Sequence, residues 1–131
     1  MIQPSPAPPY LWALRITVLV HAGMLALSFV TAGQLLMEDV GALPVHATTA
    51  IGVHVSGGAQ LVAAALLARP GRGPLWPAVV SAAAFALSFA QAYFGSHLML
   101  GLHVPAALLL VVLVVAVLAA SWLPSLRRAA S

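Results

Sequence analysis

The chain has no cysteine and no lysine, only two acidic residues, and 5% charged residues in all. A soluble domain of ordinary composition carries about a quarter charged residues. The shortage of charge, with 63% hydrophobic residues and a mean hydropathy of +1.07, reads as a membrane protein before any motif is considered. The absence of cysteine excludes disulfides, thiolate metal sites and covalent c-type haem attachment. No carboxylate dyad, phosphate loop or nucleophile–base pair stands out, so the pattern points away from an enzyme. The high pI of about 10.8 does not indicate nucleic-acid binding, because the five arginines sit at the ends of apolar runs, where they set topology.

What is present is four long apolar runs. A proline-rich lead-in over residues 1–9 precedes the first, at about residues 10–36. A polar stretch with Glu38 and Asp39 leads to the second, at about 45–68. The link Arg69-Pro70-Gly71-Arg72-Gly73-Pro74 separates it from the third, at about 75–94. Gly95 and Ser96 predict a tight turn into the fourth, at about 97–123, and Pro124 opens a basic tail over 124–131. Each run supplies roughly the 20 residues that cross about 30 Å of hydrocarbon, and in that medium each must be helical. The fold predicted is an all-α, up-down four-helix integral membrane bundle, with helices two and four on the diagonal.

Arg15, Arg69, Arg72, Arg127 and Arg128 fall on one side of this topology, together with Trp12, Trp76 and Trp122. Glu38 and Asp39 fall on the other. The positive-inside rule and the aromatic belt place both termini in the cytoplasm of a plasma-membrane, multi-pass protein. Arg15, one turn inside the first run, is expected to snorkel to the headgroups.

Five histidines are distributed over this frame: His21, His46, His54, His97 and His103. Ionisable residues within membrane spans are costly and mark functional sites, although a neutral imidazole also serves as a hydrogen-bonding link between helices. At ~1.5 Å per helical residue, His103 lies roughly 28 Å from Trp122, and His46 roughly 33 Å from the end of helix two. The two are close in level near the outer face, on diagonal helices. That is the arrangement a bis-histidine haem b requires, with His46 and His103 as axial ligands and His54 as second choice. Helical spacing puts Ala50, Val53, Gly57, Gln60 and Ala64 on the face of His46, and Ala106, Ala107 and Leu110 follow His103. Gly57, Gln60, Gln91 and Tyr93 are the candidate surroundings, and Pro105 loosens helix four just inside His103. A zinc or copper site is the competing chemistry, built from His46, His97 and His103 with Glu38 or Asp39.

The segments Gln91-Ala-Tyr-Phe-Gly95 and Gly101-Leu-His103-Val, and Thr31-Ala-Gly33 followed by a loop and His46, resemble one four-helix half of haem A synthase, over about residues 17–120. The same pattern fits small uncharacterised four-helix membrane proteins. The resemblance implies haem held by His46 and His103. It does not imply methyl oxidation of haem, because only one half is present and Leu43 and Ala47 stand where that family has a glutamate and often an arginine.

The functions that follow are a small b-type cytochrome or haem-handling protein with a redox partner at the outer face, an accessory subunit of a larger membrane complex that uses its histidines as interhelical links, or a small transporter or metal-handling protein. A homodimer is compatible with the small-residue helix faces. The third function is disfavoured by the lack of an intramembrane carboxylate.

Overall fold

In the computed structural model, residues 8–129 are described, the side chains of 127–129 excepted. Most of the lead-in expected over residues 1–9, and the last two residues of the tail, lie outside them. Helices α1 (Pro9–Leu36), α2 (Leu43–Ala68), α3 (Trp76–Ser96) and α4 (Leu100–Ser121) are each long and apolar enough to cross a membrane. A three-residue 3₁₀ turn, Val40–Ala42, precedes α2, and a short helix, α5 (Pro124–Ala129), follows α4. Each long helix packs on its neighbours in sequence, α4 closes onto α1, and α2 and α4 lie across the diagonal. The all-α four-helix membrane bundle read from the sequence is what the chain forms.

Helix starts obey local chemistry. Proline occupies the first turn of α1, α2 and α3, where its missing N–H is not needed. α1 and α2 end where expected, at Leu36 and Ala68, whereas the end of α3 and both ends of α4 depart from expectation. The turn predicted at Gly95–Ser96 lies two residues later, so His97 caps α3 rather than opening α4. There Leu98 adopts φ 57°, Leu98 N–H donates to Gly95 O, and Met99 N–H reaches back to Phe94 O. These are the two bonds of a Schellman motif. Glu38, at φ 63°, closes α1 in the same way, with Asp39 N–H on Gln34 O. α4 also stops earlier than expected, at Ser121, and Pro124 starts α5 within the tail, whose Leu126 is buried.

The core is a column of Leu11, Leu14, Val18, Ala64, Leu67, Val114 and Val117 toward the arginine-rich end. Small residues bring α1 and α2 together higher up. A Cβ on Gly52 would lie 2.8 Å from Met24 Sδ, and one on Gly57 would lie 3.2 Å from His21 Cε1. In an apolar solvent, close packing of this kind holds helices together where the hydrophobic effect does not.

Arg15 does not snorkel. It is 6% exposed; its Nε–H donates to Ser121 O at 2.9 Å, and its guanidinium lies 4.4 Å from the Trp122 ring centroid and 4.9 Å from that of Trp12. The two indoles meet edge to face at 5.8 Å. The last carbonyls of α4 carry partial negative charge and lack intrahelical donors, so a cation from α1 is held more favourably there than at the headgroups. The result is a clasp between α1 and α4 at the arginine-rich end.

Candidate functional site

His46 and His103 line one cavity near the opposite end of the bundle. It measures about 90 Å³ and is walled by all four helices, with Ser28, Phe29, Ala50, Val53, Gln91 and Ala107 among its residues. Antiparallel registry explains the meeting. His46 lies in the first turn of α2 and His103 in the first turn of α4, and the two helices start from the same end.

Each ring is held through Nδ1. Thr31 Oγ1 donates to the carbonyls of its own helix, Leu27 O at 3.1 Å and Ser28 O at 3.0 Å, so it accepts from His46 Nδ1–H at 2.9 Å. His103 Nδ1–H donates to Gln91 O at 2.8 Å. A carbonyl only accepts, so the Nε2 of His103 is the lone-pair nitrogen, and the Gln91 side-chain amide donates to it at 3.2 Å. Gly95 permits this contact, since a Cβ there would stand 2.7 Å from His103 Cε1.

The other histidines separate from this pair. His54 lies outside the cavity; its Nδ1–H donates to Ala50 O at 2.8 Å on its own helix, and its ring meets Phe89 edge to face at 4.3 Å. His97 is exposed, bonded to Tyr93 O at 2.9 Å and stacked on the Tyr93 ring. Among the described residues no three His, Asp or Glu side chains converge, which overturns the zinc or copper site of His46, His97 and His103 with Glu38 or Asp39. His97 is the C-cap residue of α3 and is not among the cavity's walls, because α3 runs longer than expected.

Ala50, Val53, Ala107 and Leu110 line the cavity as expected, but of Gly57, Gln60, Gln91 and Tyr93 only Gln91 does. Tyr93 is exposed. Gly57 and Gln60 belong to His21. Gln60 Oε1 accepts from His21 Nδ1–H at 2.7 Å, while Gln60 Nε2–H donates to Ser81 Oγ at 2.9 Å. This buried relay links α1, α2 and α3. Among the described residues His21 Nε2 is buried with no hydrogen-bond partner, and a Cβ on Gly57 would stand 3.4 Å from it. Gly57 and Gln60 share a face with His46, but they lie about three and four turns deeper along α2. Helical spacing gives the face and not the depth. Thr31 and Ser28 also belong to this setting, beyond the residues expected there. Their signal is the α1–α2 hairpin, which sets the last turns of α1 beside the first turns of α2, and Ser28 Oγ donates to Thr49 Oγ1 at 3.2 Å there.

Comparisons with family models, curated proteins and solved structures find no match to this chain.

The donor set fits a bis-histidine haem. Two imidazoles from diagonal helices share a cavity, and each is oriented by a hydrogen bond to Nδ1, as metal-bound histidines are by their outer partners. The enclosed space alone is too small, since sites for drug-sized molecules measure about 300–1,000 Å³. A second space of about 480 Å³ adjoins it between α1 and α4, lined only by apolar residues, and Leu25 and Phe29 are walls of both. A macrocycle would have to extend across that shared wall, with Gln91 releasing His103 Nε2.

Proposed function

We propose that this chain is a small haem-binding protein of the cell membrane, b-type cytochrome-like, with both termini in the cytoplasm. His46 and His103 hold the iron near the outer face. The observation that carries this reading is the meeting of these two oriented imidazoles, from diagonal helices, at one cavity. Haem supplies one-electron redox chemistry when bound, and ligation by two histidines leaves no open iron position, which suits electron transfer or haem handling rather than oxygen activation. Thr31 and the Gln91 carbonyl hold each imidazole as the Nδ1–H tautomer, and the apolar walls keep water from the site. The orientation rests on Arg15, Arg69 and Arg72 at one end and Glu38 and Asp39 at the other. A redox partner then approaches from the outer side.

The test is the optical spectrum of protein purified in the presence of haem, beside His46→Ala, His103→Ala and His54→Ala. A six-coordinate b-type spectrum lost in the first two variants and kept in the third supports the reading. A wild type that stays colourless overturns it.

A second reading has its own observation. His21, His46 and His103 each hydrogen-bond a neighbouring helix, which is how a structural subunit of a larger membrane complex uses histidine as an interhelical link. A colourless wild type whose His46→Ala and His103→Ala variants are less stable favours it.

A further inference from the structure

The four seams of the bundle are not equally fastened. The α1–α2 seam carries His21–Gln60, Ser28–Thr49 and Thr31–His46 along its length. Gln60–Ser81 joins α2 to α3, and His103 joins α4 to α3 through Gln91. Among the described residues, hydrogen bonding between α1 and α4 rests on Arg15, which donates to Ser121 O at the arginine-rich end. Beyond the clasp of Arg15, Trp12 and Trp122, this seam contains the 480 Å³ space, whose walls from α1 and α4 are all apolar, Leu25, Phe29, Leu108 and Val111 among them. Ala26, Phe29 and Leu108 are exposed on the bundle's surface, which for a membrane-spanning helix means to lipid. Pro105 removes one N–H from the ladder of α4 in the half that faces His46.

We propose that the α1–α4 seam is a lateral gate. It is hinged at the Arg15 clasp and splays toward the His46–His103 end, admitting a flat apolar ligand, the haem macrocycle, from the bilayer into the cavity. The inference rests on the haem reading for the identity of the ligand. The mechanical part stands on the distribution of bonds. Separating α1 from α4 in that half breaks dispersion contacts, which lipid chains replace, and leaves no buried polar group unpaired. Opening any other seam breaks interhelical hydrogen bonds in a medium that supplies no substitute. Leu25 and Phe29, shared by the outer space and the inner cavity, are the side chains that must move aside.

The absence of native cysteine makes the gate testable by paired thiols. Ala26→Cys with Leu108→Cys, in nanodiscs, is bridged by a short flexible bis-maleimide either before or after exposure to haem. Bridging first is expected to slow the growth of the Soret band at least tenfold, while bridging afterwards leaves the spectrum unchanged. Uptake at the unbridged rate overturns the gate while leaving haem binding intact. A wild type that never takes up haem removes the ligand. The gate is then judged by spin labels on the haem-free protein, with Val30→Cys and Leu109→Cys labelled near the cavity and Ile16→Cys and Leu118→Cys near the clasp. A broad distance distribution for the first pair and a narrow one for the second are expected, and equal widths overturn the hinge.

Discussion

The Nδ1 of His46 and the hydroxyl of Thr31 lie 2.9 Å apart, and the hydroxyl's own proton is committed to the helix behind it. The imidazole is therefore fixed both in orientation and in tautomer, with Nε2 left as the lone-pair nitrogen. Thr31→Val keeps the shape of the side chain and removes the acceptor. Loss of such an outer partner costs about 10–100-fold in metal affinity. Titration of haem into Thr31→Val in detergent should show weaker binding by about tenfold or more, with the wild-type spectrum at saturation. Unchanged affinity would show that the Thr31 bond does not orient a ligand.

Gly95 is the residue that lets the His103 ring lie against α3. A Cβ 2.7 Å from Cε1 and 2.8 Å from Nδ1 cannot be accommodated without moving the ring off the Gln91 carbonyl. Gly95→Ala raises intrinsic helix propensity by about 1 kcal/mol, so a surface glycine replaced in this way would stabilise the helix. Here the opposite is expected, a net loss of about 1–2 kcal/mol from overpacking, read as a lower midpoint in SDS unfolding. A more stable Gly95→Ala protein would mean that His103 does not sit as described.

The four spans and their ring order were legible because length and apolarity leave few alternatives in a bilayer. The level shared by His46 and His103 was legible because rise per residue converts spacing into depth. The same arithmetic would have separated Gly57 and Gln60 from His46. Gln60 lies about 12 Å from the end of α2, close to the roughly 13 Å of His21 from Trp12, and the two are bonded. Face was read there without depth. The end of α3 was not legible, since Leu98 takes the left-handed conformation that glycine and asparagine usually supply. Nor was the inward turn of Arg15, which depends on α4 ending beside it. A lone arginine near a span end carries the same sequence signal whether it faces headgroups or a neighbouring helix.

The His21–Gln60–Ser81 relay predicts a coupling measurable by a double-mutant cycle. Gln60→Leu alone leaves the His21 Nδ1–H buried without an acceptor, and His21→Leu alone strands the Gln60 carbonyl oxygen. The pair of substitutions strands neither of these. Couplings between hydrogen-bonded residues in membrane proteins average about 0.6 kcal/mol and reach about 1.7. The short, fully buried His21–Gln60 bond, at 2.7 Å, belongs toward the upper part of that range. Steric-trapping or SDS unfolding of the four proteins gives the number. A coupling near zero would mean that α1 and α2 are held at this level by Gly52 and Gly57 packing alone.

The Arg15 clasp is the remaining place where one side chain joins two helices, and its chemistry is specific to arginine. A guanidinium stacks on an indole and donates in plane at the same time, whereas an ammonium is a strongly hydrated point charge. Arg15→Lys retains the charge and loses the planar Nε–H that meets Ser121 O and the stacking on Trp122. Arg15→Lys should therefore red-shift tryptophan emission and raise quenching by a water-soluble quencher, because Trp12 and Trp122, already 46% and 49% exposed, lose the partner that holds them against each other. Stability should fall by about 1–2 kcal/mol, the range of a charged hydrogen bond lost at a partly buried helix end. Emission and stability equal to wild type in Arg15→Lys would show that charge alone, and not the planar contact, fastens α1 to α4.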